Sequence, residues 1–175
     1  IQGYAGAMSI TGTDKENPVK SGIPIADLGA GLYAVIGILS AIQSREKNDF
    51  GEHVDISMLD TQVSLLTYMA TMHFLSGENP EPIGNQHMNH VPFNSYRTSD
   101  GFIQIGVVAE DFWPSLIEAL DLRQLDTEEN KVRSGRLKNR ENIDKVVQEV
   151  FITNTTEHWL KILQEHRVPC GPINT

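Results

Sequence analysis

The sequence is poor in cysteine. Cys170 is the only cysteine among 175 residues, which excludes an internal disulfide framework and indicates a reducing, cytoplasmic location. This cysteine directly follows Pro169, and Arg167 is the only Lys or Arg close to it. We therefore expect a packed side chain rather than a reactive thiol.

Positive charge is also scarce. Fourteen Lys and Arg stand against 23 Asp and Glu, for a net charge of −9. Nucleic acids and anionic lipid surfaces attract clustered Lys and Arg, so we expect neither as a partner. If a polyanionic ligand binds, local groups or a part of the protein outside this chain must hold its charges.

Long apolar runs are missing as well. The longest, residues 28–42, lies between Asp27 and Arg45, whereas a membrane-spanning helix needs about 20 apolar residues. Leucine, isoleucine and valine occur all round this stretch, which predicts a helix buried on most sides. Its glycines, Gly29, Gly31 and Gly37, are expected where a neighbour or a ligand approaches closely. No stretch has the layout of a signal peptide.

Common motifs for phosphate, metal and acyl chemistry are lacking. The chain contains no Gly-x-Gly-x-x-Gly, no Walker loop and no nucleophile elbow. His87 and His90 lie in one polar loop, but no cysteine or carboxylate cluster accompanies them, so no metal site is predicted. His53 and His73 are expected at the surface or at the edge of a core.

The remaining pattern predicts two parts joined by a linker. Glycine- and proline-rich loops precede a helix over residues 28–46, a short strand over 53–57 and a helix over 58–76, an order typical of the edge of an open α/β sheet. Residues 77–91 are polar and contain proline, and we predict the linker there. Residues 92–175 are predicted to form a small α+β domain.

The second part has the clearer local signals. Strands over residues 93–98 and 102–108 flank Ser99-Asp100-Gly101, which predicts a hairpin. Helices are predicted over residues 110–120, 140–151 and 155–165. Asn154, followed three residues later by Glu157, predicts a capping box for the last of these helices.

Asp27 is the main candidate for chemistry. It directly precedes the long apolar helix, so its carboxylate is predicted to be the N-cap and to accept backbone N–H bonds. The spacing leaves two interpretations open. Asp27 is either only a cap, or a carboxylate nucleophile kept ionised by the helix N-terminus.

Four segments, in order along the chain, resemble one known family. They are Gln2-Gly3 with Gly6-Ala7-Met8 and Thr11-Gly12; Ile25-Ala26-Asp27-Leu28-Gly29-Ala30-Gly31-Leu32; Val54-Asp55-Ile56-Ser57-Met58-Leu59-Asp60; and Val91-Pro92-Phe93, Tyr96, Thr98 and Asp100-Gly101 with the tail Val168-Pro169-Cys170-Gly171-Pro172-Ile173-Asn174. Together they are similar to the CaiB/BaiF family of class III, formyl-CoA transferase-like CoA-transferases. The chain departs from the family at residues 48–52, which lack its usual lysine, and at Gly84–His87, which carry one glycine.

The resemblance implies a fold, a reaction and partners. The fold would be α/β: the C-terminal part of a Rossmann-like large domain in residues 1–76, followed by the small α+β domain. The reaction would transfer CoA from an acyl-CoA to a small carboxylic acid through Asp27 as covalent nucleophile. Backbone N–H groups near Gly29 and Gly84 would stabilise the oxyanions, and His87 would contact substrate. No permanently bound cofactor is implied, and the intact protein would be an interlocked homodimer.

Two alternatives stay open. An α-methylacyl-CoA racemase of the same superfamily would use Asp27 as an acid/base. The other alternative is that the chain is a segment of a longer protein, folded but without activity of its own.

Overall fold

The computed structural model describes residues 1–174, in which the chain divides into two units. The first unit is Ile1–Gly84 and the second begins at Asn85. The division lies within the predicted linker. In the first unit, the described elements are a 3₁₀ turn (Ala7–Ile10) and the helices α1 (Ile25–Asn48), α2 (Met58–Ser64) and α3 (Tyr68–Ser76).

Helix α1 begins and ends where its sequence provides a start and a stop. Pro24 occupies the N-cap position, where a missing N–H is tolerated. Asp49 follows the last turn in the left-handed conformation, with φ 61°, and its N–H donates to the carbonyl of Arg45 at 2.8 Å. Arg45 and Lys47 place positive charge in the last turn, where the helix dipole favours it.

Most of α1 is exposed in the described chain, so the prediction of a buried helix is wrong for it. Only Ala26 and Gly29 are buried, whereas Leu32 is 68% and Leu39 61% exposed. Burial would stabilise the apolar side chains of α1, but other elements must supply the surface that buries them. At 24 residues, α1 also exceeds the predicted stretch and is long and apolar enough to cross a membrane, a property shared by core helices of soluble proteins.

Two glycines of α1 mark where neighbouring segments approach, as predicted. A Cβ atom on Gly29 would lie 3.0 Å from a methyl carbon of Leu65 and 3.1 Å from that of Thr61, both on or next to α2. A Cβ atom on Gly37 would lie 2.8 Å from Val54. Nothing lies within 4 Å of the corresponding position at Gly31.

Two other predictions for the first unit are wrong. Residues 53–57 alternate in the sequence but form no strand, because they pair with no neighbouring strand among the described residues. The predicted helix over residues 58–76 is divided into α2 and α3. The division falls at Thr67, whose φ of 49° and ψ of −123° are incompatible with a continuous helix.

The second unit has an antiparallel sheet in the order β1-β2-β3. The strands are β1 (Phe93–Arg97), β2 (Phe102–Gly106) and β3 (Cys170–Pro172); the helices are α4 (Phe112–Ala119), α5 (Arg133–Lys138), α6 (Arg140–Phe151) and α7 (Thr156–Glu165), with a 3₁₀ turn at Arg123–Leu125. The register Tyr96↔Ile103 and Ile103↔Pro172 aligns the strands. The predicted hairpin is confirmed.

The hydrophobic core cluster lies entirely in this unit. Most of its members come from one face of the sheet and from α4, α6 and α7, and they include Ile103, Ile105, Leu116, Ile143, Val147, Phe151 and Leu163, each 1% exposed or less. Helix α6 contributes Ile143, Val147 and Phe151 at the four-residue spacing of one helix face. The observed architecture is therefore mixed α/β, with a small antiparallel sheet and packed helices.

The predicted cap of the last helix is displaced by one residue. Thr155, not Asn154, is the N-cap of α7, and its side chain accepts a hydrogen bond from the N–H of His158. Helix α5 and the 3₁₀ turn at Arg123–Leu125 were not predicted from the sequence, since both are too short to show a period.

Candidate active site

Asp27 lies in the first turn of α1. The prediction that it is the N-cap is wrong. The cap position is Pro24, which makes Asp27 the third helical residue. The side chain is exposed, and its carboxylate accepts no hydrogen bond from the described part of the chain. The carboxylate is therefore open to solvent and free to meet another molecule.

The first turn of α1 also contains two backbone N–H groups without a backbone acceptor, those of Ala26 and Asp27. The N–H of Ile25 donates to Ile23 at 2.9 Å, and that of Leu28 donates to Pro24 at 3.0 Å. Among the described residues, the N–H groups of Ala26 and Asp27 have no backbone acceptor. Free N–H groups at a helix start carry partial positive charge and can take up the charge of an oxyanion.

The segment that leads into α1 is held by a side chain from the start of the chain. The amide of Gln2 donates to the carbonyl of Ile23 at 3.4 Å and accepts from the N–H of Ser21 at 2.8 Å. Both contacts fix the backbone shortly before Asp27. The sequence showed that Gln2-Gly3 resembles a family loop, but it did not predict these two hydrogen bonds.

Neither predicted glycine offers a free N–H in this structure. Gly29 is in the second turn of α1, where N–H groups bond within the helix. Gly84 has φ 62°, and its N–H donates to the carbonyl of Gly12 at 2.7 Å. The N–H groups without a backbone acceptor in the first turn of α1 are instead those of Ala26 and Asp27. A role of Gly29 or Gly84 in substrate binding stays a prediction.

His87 is in the second unit, in the segment Asn85–His90, which we call the His87 loop. Its ring is 4.6 Å from the ring of His90 and 5.3 Å from that of Phe93, measured between centroids. The Nδ1 atom accepts a hydrogen bond from the N–H of Asn89 at 3.0 Å. Partial burial lowers the pKa of His87, with the charges of His90 and Arg140 acting in the same direction.

A polar network anchors this loop and was missed in the sequence. Asp144 of α6 accepts hydrogen bonds from the Tyr96 hydroxyl at 2.5 Å, from Gln86 at 3.2 Å and from Asn94 at 3.5 Å. Burial, followed by the Asp144 charge, raises the pKa of Tyr96, so the hydroxyl keeps its proton and donates. About 50 residues separate these partners, so no local pattern connects them.

An apolar groove of about 540 Å³ is present elsewhere in the first unit. It is lined by side chains of α2 and α3 and by residues 79–82, with Lys15 and His73 among the polar groups. Asp27 does not line it. The groove is thus separate from the nucleophile candidate.

The remaining candidates show no sign of metal or thiol chemistry. No group of three or more His, Cys, Asp or Glu that could hold a metal ion occurs within residues 1–174. Cys170 is half-buried, and burial raises the pKa of its thiol. A raised pKa favours the unreactive protonated form.

Known proteins match the chain over its whole length. The family model described as CoA-transferase family III matches residues 1–175. Human succinyl-CoA:glutarate CoA-transferase is 31% identical over 171 residues, which cover 97% of this chain and 39% of that protein. Succinyl-CoA:mesaconate CoA-transferase of Haloarcula hispanica is 33% identical over 172 residues, with coverages of 98% and 43%.

A solved structure agrees with this match. The crystal structure of a CaiB/BaiF family protein from Brucella suis has a TM-score of 0.87 and 32% identity, and it covers 99% of this chain and 46% of its own. The chain therefore spans less than half the length of these relatives.

Proposed function

Because the chain belongs to CoA-transferase family III, we propose that the intact protein transfers CoA from an acyl-CoA to a carboxylic acid, with Asp27 as the covalent nucleophile. The observation that supports this role is the state of Asp27. Its carboxylate is exposed and unpaired within the described chain, and the same helical turn contains two backbone N–H groups without a backbone acceptor. A carboxylate that served only as a helix cap would instead accept those N–H bonds.

The proposed reaction proceeds through two exchanges at the Asp27 carboxyl. The carboxylate attacks the thioester carbonyl of the donor, and collapse of the tetrahedral oxyanion releases CoA thiolate and leaves a mixed anhydride. The thiolate then attacks the Asp27 carbonyl, which forms an aspartyl thioester and releases the first acid. Dividing one difficult exchange into such steps is the advantage of nucleophilic catalysis.

The second half repeats these steps with the acceptor acid. Its carboxylate attacks the aspartyl thioester and releases CoA thiolate, and the thiolate attacks the acyl carbonyl of the new anhydride. The products are the new acyl-CoA and the free Asp27 carboxylate, so no proton or electron remains unbalanced. Each tetrahedral oxyanion needs hydrogen-bond donors, and the N–H groups of Ala26 and Asp27 are proposed to supply them.

The relatives indicate which substrates to test first. Two of them are named for succinyl-CoA as donor and for glutarate or mesaconate as acceptor. We propose that this protein uses CoA thioesters and free acids of the same dicarboxylate class. Because these relatives are CoA-transferases, the racemase alternative is not favoured.

The test is mass spectrometry of the intact protein incubated with succinyl-CoA. We expect a covalent adduct on the peptide that contains Asp27, and formation of glutaryl-CoA when glutarate is added. In Asp27→Asn, the adduct should disappear and the transfer rate should fall at least about a thousandfold, because loss of a covalent nucleophile removes the pathway.

Asp49→Asn is the matched control, since Asp49 lies at the other end of α1 and asparagine tolerates the same left-handed backbone. This variant should keep the adduct and the rate. Near-normal transfer by Asp27→Asn would refute the proposed nucleophile.

A further inference from the structure

The second half of the His87 loop lies between two fixed points. On one side, the side chain of Gln86 donates to Asp144 of α6 at 3.2 Å. On the other side, Val91 is 0% exposed, and its carbonyl accepts from Nε of the buried Arg136 at 3.0 Å. Residues 87–90 connect these two points, so we expect a change within them to leave both ends in place.

One hydrogen bond within these residues depends on the protonation state of His87. The backbone N–H of Asn89 donates to Nδ1 of the His87 ring at 3.0 Å. A ring nitrogen accepts a hydrogen bond only through its lone pair, and both nitrogens are donors in the charged ring. The contact with Asn89 is therefore made by the neutral ring and is lost when Nδ1 gains a proton.

The groups packed around the His87 ring also disfavour a charge on it. The ring of His90 lies 4.6 Å away between centroids, and Nη2 of Arg140 of α6 donates to the His87 carbonyl at 2.7 Å. From β1, the ring of Phe93 lies 5.3 Å away and carries no charge. Partial burial, followed by the charges of His90 and Arg140, lowers the pKa of His87 below its ordinary value of 6.5.

The nearby carboxylate of Asp144 is engaged by other donors. It accepts from the Tyr96 hydroxyl at 2.5 Å, from Gln86 at 3.2 Å and from Asn94 at 3.5 Å. The raised pKa of Tyr96, caused first by burial and then by the Asp144 charge, keeps that hydroxyl protonated and donating. A charged His87 ring would have to displace one of these donors to pair with Asp144.

We propose that residues 87–90 form a pH-sensitive segment, which is ordered while His87 is neutral and loosens when the ring gains a proton at Nδ1. The proton removes the hydrogen bond from Asn89 and adds a positive charge beside Arg140 and His90. The anchors at Gln86 and Val91 do not involve the ring, so the loosening stays between them. This inference concerns the second unit alone and does not depend on the function proposed above.

The direction of the pH dependence follows from the lowered pKa of His87. A histidine that binds its proton less readily in the folded protein than in the unfolded chain makes folding less favourable as the pH falls. The loss begins near the ordinary value of 6.5 and is complete below the folded-state pKa. The segment is therefore ordered above pH 6.5 and loosens on the acid side of that value.

An NMR titration of the 175-residue chain, combined with amide hydrogen exchange, tests the proposal. The His87 ring should titrate with a midpoint below pH 6.5, and the amide resonance of Asn89 should move with the same midpoint. Below it, and after correction for the intrinsic pH dependence of exchange, the Asn89 amide should exchange about tenfold faster, the effect of losing one hydrogen bond. The amide of Val107, which donates to the carbonyl of Pro92 at 2.8 Å just beyond the segment, should not respond.

Three variants separate the ring of His87 from its neighbours. In His87→Asn, the side-chain oxygen accepts a hydrogen bond but does not titrate, so the Asn89 amide should lose its transition. His90→Phe keeps a ring beside His87 and removes one charge, so the midpoint should rise toward 6.5 while the transition persists. His158→Gln, at an exposed position of α7, should leave the titration of Asn89 unchanged.

Three results would overturn the proposal. The first is a His87 midpoint at or above pH 6.5, which would mean that Asp144 pairs with the charged ring. The second is an Asn89 amide that does not follow the titration of His87, and the third is a transition that survives in His87→Asn. The first two are measured on the wild-type chain, and none of the three requires enzymatic turnover.

Discussion

Among single residues, the buried Arg136 makes four side-chain hydrogen bonds within the second unit. It is 2% exposed, and its guanidinium donates to the carbonyls of Val91, Asn130 and Lys131 and to the carboxylate of Glu110. Its guanidinium carbon also lies 5.2 Å from the centre of the Trp113 ring. One side chain thus connects α5 to the segment before β1 and to the start of α4.

Replacing this arginine is predicted to be costly. Arg136→Met keeps the apolar volume but leaves buried carbonyls of Val91 and Asn130 without a donor, and each such group costs roughly 1–3 kcal/mol. We expect the free energy of unfolding to fall by about 3 kcal/mol, measured by urea unfolding with tryptophan fluorescence. Arg133→Met, exposed on the same helix, should change it by less than about 0.5 kcal/mol. Equal effects of the two variants would contradict this role.

Among elements, the hairpin turn and α7 are tied together by one carboxylate. Asp100 accepts hydrogen bonds from the N–H of Thr156 at 2.8 Å, from its hydroxyl at 3.0 Å and from the hydroxyl of Thr98 at 3.1 Å. The Thr156 N–H is the largest cause that lowers the pKa of Asp100 below its ordinary value of 3.8. The contact places a negative charge at the start of α7, where the helix dipole favours it.

This tie predicts a pH dependence of stability. The pKa of Asp100 is lower in the folded state than its ordinary value of 3.8. Its contribution to the free energy of unfolding is therefore fully present above pH 3.8 and is lost as the pH falls through the folded-state pKa. Asp100→Asn should therefore lower the urea midpoint at pH 7, and the difference from wild type should shrink below about pH 4. Asp111→Asn, whose carboxylate makes no cap hydrogen bond, serves as control. A difference in urea midpoint between Asp100→Asn and wild type that stays constant from about pH 7 to about pH 3 would refute this role of the Asp100 carboxylate.

At the scale of the whole molecule, buried apolar side chains are distributed unequally between the two units. The core cluster lies in the second unit, whereas Ala5 and Ala26 are the only hydrophobic residues in the buried set of the first unit. Helix α1 leaves Leu28, Leu32, Ile36 and Leu39 exposed. Isolated helices are marginally stable in water, so the first unit is expected to be the less stable part of the described chain. The homodimer and the cytoplasmic location stay predictions.

Hydrogen exchange of the 175-residue chain would measure this difference. Amides of α6, whose Ile143, Val147 and Phe151 are fully buried, should exchange only on global unfolding and those of α1 far faster. Equal protection of α1 and α6 would mean that α1 is covered in solution. Repeating the measurement at several protein concentrations would then show whether a second copy provides the cover.

Local patterns predicted the parts of the fold that depend on neighbouring residues. The α6 helix was predicted at its observed bounds, because its apolar residues repeat with the helical period over a full twelve residues. The hairpin was predicted because Ser99-Asp100-Gly101 supplies its turn. By contrast, residues 53–57 have a strand pattern without a strand partner, and residues 58–76 are divided at Thr67 by a backbone conformation that threonine rarely adopts.

The roles of the candidate site residues stay predictions, and the structure adds only their positions. Asp27 was proposed through its ordered family segments, but the helix begins three residues earlier than predicted, at Ile25, so Asp27 is not the N-cap. The two N–H groups of the first turn without a backbone acceptor could be found only once that start was known. The sequence indicated His87 but not the hydrogen bond of its ring, whose donor is the backbone N–H of Asn89.

The sequence by itself determined the family, the α6 helix and the hairpin, because each depends on residues that are near in the chain or on an ordered set of segments. It also selected Asp27 as the candidate nucleophile, a role that stays a prediction. Only the tertiary structure decided which apolar faces are covered, where α1 begins, and which side chains hold the His87 loop. The physical reason is distance along the chain: Tyr96 and Asp144 are 48 residues apart and Arg136 and Val91 are 45. Hydrogen bonds of that kind are made by folding and leave no periodic trace in the sequence.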